Sequence, residues 1–207
     1  MSTVYLSTAY LAPIQYYCKL ISYKSVMMEM NENYLKQTYR NRCMIATANG
    51  IQSLSVPIEN PKTDKSQTKD IRISDHGNWR HLHWNALVSA YGMSPFFEYY
   101  KDDIAPFYKQ KYKFLFDFNE KLRLTICELL AIHPDVNYTA EYSTDVANDF
   151  RTSIRPGQPV KDHSFYPQSY YQVFREKNGF FPNLSIIDLL FNMGLEAVIV
   201  LTASVTE

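Results

Sequence analysis

The chain has no net charge, with 21 basic side chains against 21 acidic ones. A nucleic-acid or anionic-membrane surface needs a surplus of cations, so neither is expected as the main partner. Glycine is scarce, six in 207 residues, and neither G-x-G-x-x-G nor G-x-x-x-x-G-K-[ST] occurs. That excludes the usual glycine cradle for phosphates, and any anionic ligand must be held by side chains instead. The three cysteines, Cys18, Cys43 and Cys127, are odd in number and form no C-x-x-C pair, which fits a reduced, cytoplasmic protein. His81 and His83 differ by two, and no further Cys or His stands at ligand spacing, so no metal or other cofactor is expected. No run approaches the ~18 consecutive apolar residues of a membrane span. The start, MSTVYLSTAYLAPIQYY, has neither the basic region nor the apolar core of a signal peptide.

Aromatic residues, in contrast, are abundant: 17 Tyr, 12 Phe and 2 Trp exceed what one core needs, so some should line a groove or an interface. The length suits one domain over residues 1–207. TVYLSTAY, QYYCKLISYKS and VMMEM read as strand, crossover helix and strand, the opening of an α/β sheet. RCMIATA and IQSLSVPI flank Asn49-Gly50, whose tolerance of positive φ predicts a β-hairpin over residues 42–58.

The middle section is expected to be helical. HLHWNALVSAYG places Leu82, Leu87 and Tyr91 near one face; SPFFEYYKDDIAPFYKQKY has Ser94 as a cap and a break at Pro106. Leu115, Phe118, Leu122, Ile126 and Leu129 recur at helical spacing before Pro134. DIRIS, VNYTAEY, YYQVF and the β-prone tail AVIVLTASV are expected strands, and the irregular residues 143–169 a loop or lid. Ser185 and Asp188 stand at capping-box spacing before an apolar run. The expected fold is therefore α/β, one domain with a mixed sheet, the hairpin and a helical middle.

Lys36, Arg40 and Arg42 crowd seven positions around Asn41 at the mouth of the hairpin. Guanidinium forks make paired hydrogen bonds to phosphate or carboxylate, so the trio is expected to grip an anion; the alternative is pairing with Glu29 and Glu32. His83, beside Trp84, is the candidate general base, because imidazole titrates near neutral pH. Its alternative is a packed histidine satisfied by a backbone carbonyl. Cys43 follows Arg42 and is read as a buried structural thiol rather than a thiolate.

YLAPIQYY, YRNRCMIATANG with LSVPI, HWNALVSAYGMSPFFEYY, YKFLFDFNEKL and PNLSIIDLLFNMG, in that order, resemble the WbqC-like protein family from about residue 3 to about residue 196. By position, Tyr39, Arg40, Asn41 and Arg42 match its aromatic-Arg-Asn-Arg run, Val56 and Pro57 its Val-Pro strand end, and His83 and Trp84 its His-Trp pair. Many members carry Gln where this chain has Ser7, and an Asp-Asp pair before the Arg-Asn-Arg run where this chain has only Glu29 and Glu32. The resemblance implies a bacterial protein of O-antigen or other surface-polysaccharide synthesis, and a transferase adding glycine or a related group to a sugar. In that reading Lys36, Tyr39, Arg40, Arg42 and Trp84 bind a nucleotide sugar or an activated acyl donor. His83 and Glu32 serve as bases, and Asn41 orients the substrate. The competing reading is a non-catalytic sugar-nucleotide-binding or assembly protein of the same pathway.

Overall fold

The computed structural model describes residues 2–61, 63, 65–157 and 161–206. Alternating β-prone residues form β1 (Thr3–Ser7), whose Val4 and Leu6 are fully buried. Pro13, its φ set at −68°, leads into α1 (Ile14–Ser22). That helix is the crossover a parallel pair requires, and it delivers the chain to β2 (Ser25–Glu29), paired with β1 from Thr3↔Ser25 to Ser7↔Glu29. On the other side of β2 lies β5 (Val136–Tyr138), also parallel. The strand order β1-β2-β5 brings Ser7, Glu29 and Tyr138 to one rim, the carboxyl edge where open α/β sheets hold ligands.

The hairpin forms a separate antiparallel ladder of β3 (Arg42–Thr47) and β4 (Gly50–Ser55). Its turn differs from the expected one. Ala48 and Asn49 are the two loop residues, and only Gly50 takes positive φ, at 101°. The Thr47 hydroxyl supports the turn, accepting from the Asn49 N–H at 3.3 Å and donating to the Gly50 carbonyl at 2.8 Å.

Four helices follow: α2 (Trp79–Tyr91), α3 (Phe97–Ile104), α4 (Pro106–Lys109) and α5 (Leu115–Leu129). The buried stripe of α2 is Trp79, His83, Leu87, Ala90 and Tyr91. Leu82, expected on that stripe, is 60% exposed. Pro106 starts α4, and the Ser94 hydroxyl bonds the Tyr91 carbonyl instead of capping α3. The periodic residues of α5 are buried as expected, except Leu129, which is half-buried.

Three expected strands are absent from the described residues. YYQVF is loop leading to α6 (Arg175–Asn178), and DIRIS contributes only the bridges Ile58↔Ile73 and Arg72↔Phe114. The tail is helical. After α7 (Ile186–Met193), a 3-10 turn at Gly194–Glu196 leads into α8 (Ala197–Ala203), which packs on α1. An apolar run of this kind suits a buried helix as well as a strand, and the partner decides. By length and composition Ile186–Ala203 would suffice to cross a membrane, yet 61% of that window is packed inside the protein and Gly194 breaks it with φ 57°.

The described part of residues 143–169 is loop, as expected, and residues 158–160 lie outside the described residues. Tyr5 of β1 donates to the Asn148 carbonyl at 3.1 Å and accepts from the Phe150 N–H at 2.9 Å. A contiguous apolar cluster runs from Val4 through the helices to Leu201.

Candidate functional site

Four charged side chains lie buried where β1 and β2 end: Glu29, Glu32, Arg40 and Arg151, none more than 5% exposed. Arg40 donates from Nε to Glu32 Oε1 at 2.8 Å and from Nη2 to Oε2 at 2.6 Å. Its Nη2 also reaches Ser7 Oγ at 2.7 Å and the Arg151 carbonyl at 3.1 Å. Arg151 in turn donates from Nη1 to Glu29 Oε2 at 2.9 Å, and to Asp149 and the Ser143 carbonyl. The remaining Glu29 oxygen accepts from the Asn31 N–H and the Thr139 hydroxyl, each at 2.8 Å. Burying four charges is costly, and removing one partner of such a pair is costlier still. The network ties the loops after β1 and β2 and the loop containing Arg151 into one rigid unit.

Several buried polar atoms beside this unit have no protein partner: Thr8 Oγ1, Asn41 Oδ1, Arg42 Nε, Asn119 Oδ1 and Ser153 Oγ. Each belongs to a residue within two positions of Ser7, Arg40 or Arg151 in sequence, except Asn119, whose amide donates to the Arg40 carbonyl at 2.8 Å. Unpaired buried polar atoms cost about 1–3 kcal/mol each.

The unit reaches the surface through Asn31. Its side-chain oxygen accepts from Lys69 Nζ at 2.7 Å, and Lys69 lines a groove of about 830 Å³ at the carboxyl edge of the sheet. Tyr112, Phe114, Phe116 and Tyr138 supply its rings, with Glu120 and Lys121 among its charged groups. Within it the Tyr138 hydroxyl donates to Glu120 Oε2 at 3.0 Å, and Arg123 holds the same oxygen at 2.8 Å.

The loop after β1 also organises a second buried cluster. Tyr10 donates its backbone N–H to the Tyr39 carbonyl at 2.8 Å, and its hydroxyl lies 2.9 Å from His83 Nδ1 and 2.7 Å from the Tyr108 hydroxyl. The three groups thus form one buried hydrogen-bonded chain, Tyr108–Tyr10–His83. Burial lowers the His83 pKa to about 4 and pushes the Tyr10 and Tyr108 phenols upward.

The residues expected at one anion site are thus divided. Arg40 is spent on Glu32, which corrects both the reading of Arg40 as a free ligand cation and that of Glu32 as a free base. Lys36 is exposed, beside a different depression with Tyr34 and Leu35. Arg42 is half-buried in β3 opposite Ser55. Asn41 donates its amide to the Val56 carbonyl at 2.9 Å, and Tyr39 packs half-buried against the core. His83 is only 6% exposed, with Nδ1 on the Tyr10 hydroxyl, the packing that the alternative reading of this residue describes. Trp84 is stacked near Phe97 and Tyr108 at the edge of a separate pocket.

The family profile of WbqC-like proteins matches residues 8–155. The chain belongs to the WbqC-like protein family. A relative from Mycobacterium tuberculosis, the uncharacterized protein Rv1507c, is 26% identical over an alignment covering 79% of this chain and 81% of its own. No solved structure matches the chain.

The WbqC-like segment contains Glu29, Glu32, Arg40 and Arg151, and it ends four residues beyond Arg151. PNLSIIDLLFNMG lies outside it. The main residues missed in the sequence were Arg151, Lys69 and Tyr138. Arg151 stands 122 positions from Glu29 and is brought to it by the bonds of Asn148 and Phe150 to Tyr5, while Lys69 arrives through its N–H on the Met30 carbonyl.

Proposed function

We propose that this WbqC-like protein is a group transferase of bacterial surface-polysaccharide synthesis, acting in the cytoplasm on a sugar substrate held in the groove at the carboxyl edge of the sheet. The observation that carries this reading is the coupling of that groove, through Lys69 and Asn31, to the buried Glu29–Arg151 and Glu32–Arg40 pairs. Rings alternating with charged groups suit a sugar, whose faces pack on aromatics while its hydroxyls seek polar partners. Lys69 and Lys121 meet a phosphate or carboxylate, and Glu120 meets hydroxyls. The buried pairs position the rim and do not themselves exchange protons with substrate.

The engagement of His83, Glu29 and Glu32 favours a second reading, a sugar-nucleotide-binding or assembly protein without turnover. Calorimetry with nucleotide sugars and simple glycosides, on wild type and on Tyr138→Ala and Lys121→Ala, tests the groove. Mass spectrometry of the bound sugar after addition of an activated glycine donor tests transfer. Groove-dependent binding with a gain of one glycyl unit supports the transferase; such binding without a product supports the second reading. Absence of groove-dependent binding overturns both.

A further inference from the structure

A second pocket, of about 520 Å³, lies where α2 begins, lined by Asp75, Asn78, Arg80, His81, Trp84, Ala105, Tyr108, Lys109 and Lys111. Its volume is that of a small-molecule site. Three permanent cations face one carboxylate. That carboxylate, on Asp75, bridges two of them: Oδ1 accepts from Arg80 Nη1 and Oδ2 from Lys111 Nζ, each at 2.7 Å. An internal anion thus occupies the position a phosphate would take, and because Asp75 is half exposed it can be displaced.

Arg80 is held ready for such an exchange. Its Nε donates to the Gln110 carbonyl at 3.1 Å, and its guanidinium lies over the Trp79 ring at 4.7 Å. Asn78, which ends the 3-10 turn His76–Asn78 and precedes α2, also lines the pocket, beside the N-terminal end of a 13-residue helix, where the helix dipole is positive. Half-buried Trp84 and Tyr108, itself 6% exposed, also line the pocket, their rings 5.9 Å apart at 33°, with Phe97 6.1 Å from Trp84 at 29°.

We propose that this pocket binds the nucleoside diphosphate portion of a ligand. The diphosphate lies on Arg80, Lys109, Lys111 and the start of α2, the base lies against Trp84 and Tyr108, and Asp75 gives way. Lys111 also lines the groove, so a nucleotide-linked group leaving this pocket would point toward that groove. The binding claim does not require that the protein catalyse transfer.

Calorimetry with UDP, ADP, uridine and inorganic pyrophosphate tests it. UDP or ADP should bind at least about 10-fold tighter than uridine, because charge-assisted hydrogen bonds to the diphosphate are lost with the nucleoside alone. Arg80→Ala/Lys111→Ala should weaken binding by about 10-fold or more, and Trp84→Ala by about 3-fold or more. Asp75→Asn, which removes the competing carboxylate, should tighten it by several-fold. An unchanged melting temperature in each variant shows that the fold is intact. No binding of either nucleotide, or binding indifferent to both Arg80→Ala/Lys111→Ala and Trp84→Ala, overturns the proposal and leaves the groove reading standing. Pyrophosphate binding as tight as UDP would reduce the pocket to an anion site and overturn the nucleoside assignment.

Discussion

Arg40 and Glu32 hold each other through two parallel hydrogen bonds, at 2.8 and 2.6 Å, with both side chains almost wholly withdrawn from water. Removing the guanidinium strands a buried carboxylate, so Arg40→Ala should cost about 3–5 kcal/mol. At ~2–4 °C per kcal/mol the melting temperature should fall by more than about 6 °C. Arg40→Lys should not restore it, since one ammonium cannot span both Glu32 oxygens while also serving Ser7 and the Arg151 carbonyl. A double variant, Arg40→Leu/Glu32→Leu, should be less destabilised than Arg40→Ala. Thermal melts in which Arg40→Ala loses under ~1 kcal/mol would contradict the buried pairing.

Gly50 is required by geometry and not by crowding. Its φ is 101°, and a Cβ built there would meet no atom within 4 Å. Gly50→Ala should therefore cost about 1–2 kcal/mol through backbone strain alone, and Gly50→Asn less, because Asn tolerates positive φ. Equal denaturation midpoints for Gly50→Ala and wild type would show that the turn relaxes to another form.

Local pattern and long-range placement were not equally legible in the sequence. The hairpin, α5 and the Ser185 cap could be read because their determinants lie within a few residues; Ser185 Oγ does accept from the Ile187 N–H at 3.3 Å. Asp188 does not complete the box: it is buried and turned to Tyr91 and Tyr170 instead, partners at separations of 97 and 18. Leu82 lies outside because the helix phase is set by Trp79, His83 and Leu87, and apolarity alone does not reveal that phase. For the cationic run the pairing alternative is the one that Arg40 takes, with Glu32, while the residues that complete its shell are not legible. Nothing near Arg40 in sequence announces that Ser7 and Arg151, 33 and 111 positions away, will close around it.

The three thiols should be inert in the folded protein. Cys18, Cys43 and Cys127 are all buried, and burial pushes the Cys18 and Cys127 thiols up to about 12 and about 11 and Cys43 higher still. Iodoacetamide near pH 8 reacts with thiolates, whose unperturbed pKa is about 8.5. Mass spectrometry should find no adduct on the native chain and three after denaturation. Alkylation of Cys43 in the native state would mean that the hairpin opens readily beside Tyr10 and Tyr108.

His83 and Asp188 should give stability opposite dependences on pH. Burial lowers the His83 pKa from 6.5 to about 4, so the unfolded chain takes up a proton first, and the contribution present above pH 6.5 is lost as pH falls toward 4. Burial raises the Asp188 pKa from 3.8 to about 6, against the pull of bonds from Tyr170, Tyr91, Gln172 and Asn192. Here the folded chain holds the proton, and the contribution present below pH 3.8 is lost as pH rises through 6. Each is worth on the order of 3 kcal/mol at most, and the two windows overlap, so they largely offset each other in the wild type. The cost of His83→Gln should therefore shrink on acidification, and the cost of Asp188→Asn should shrink on going to neutral pH. Urea denaturation of both variants and wild type at several pH values between about 4 and 7 reads this directly. If the two costs do not change with pH, neither group titrates as its burial demands, and both side chains must be better solvated than their packing against Tyr10 and Tyr91 implies.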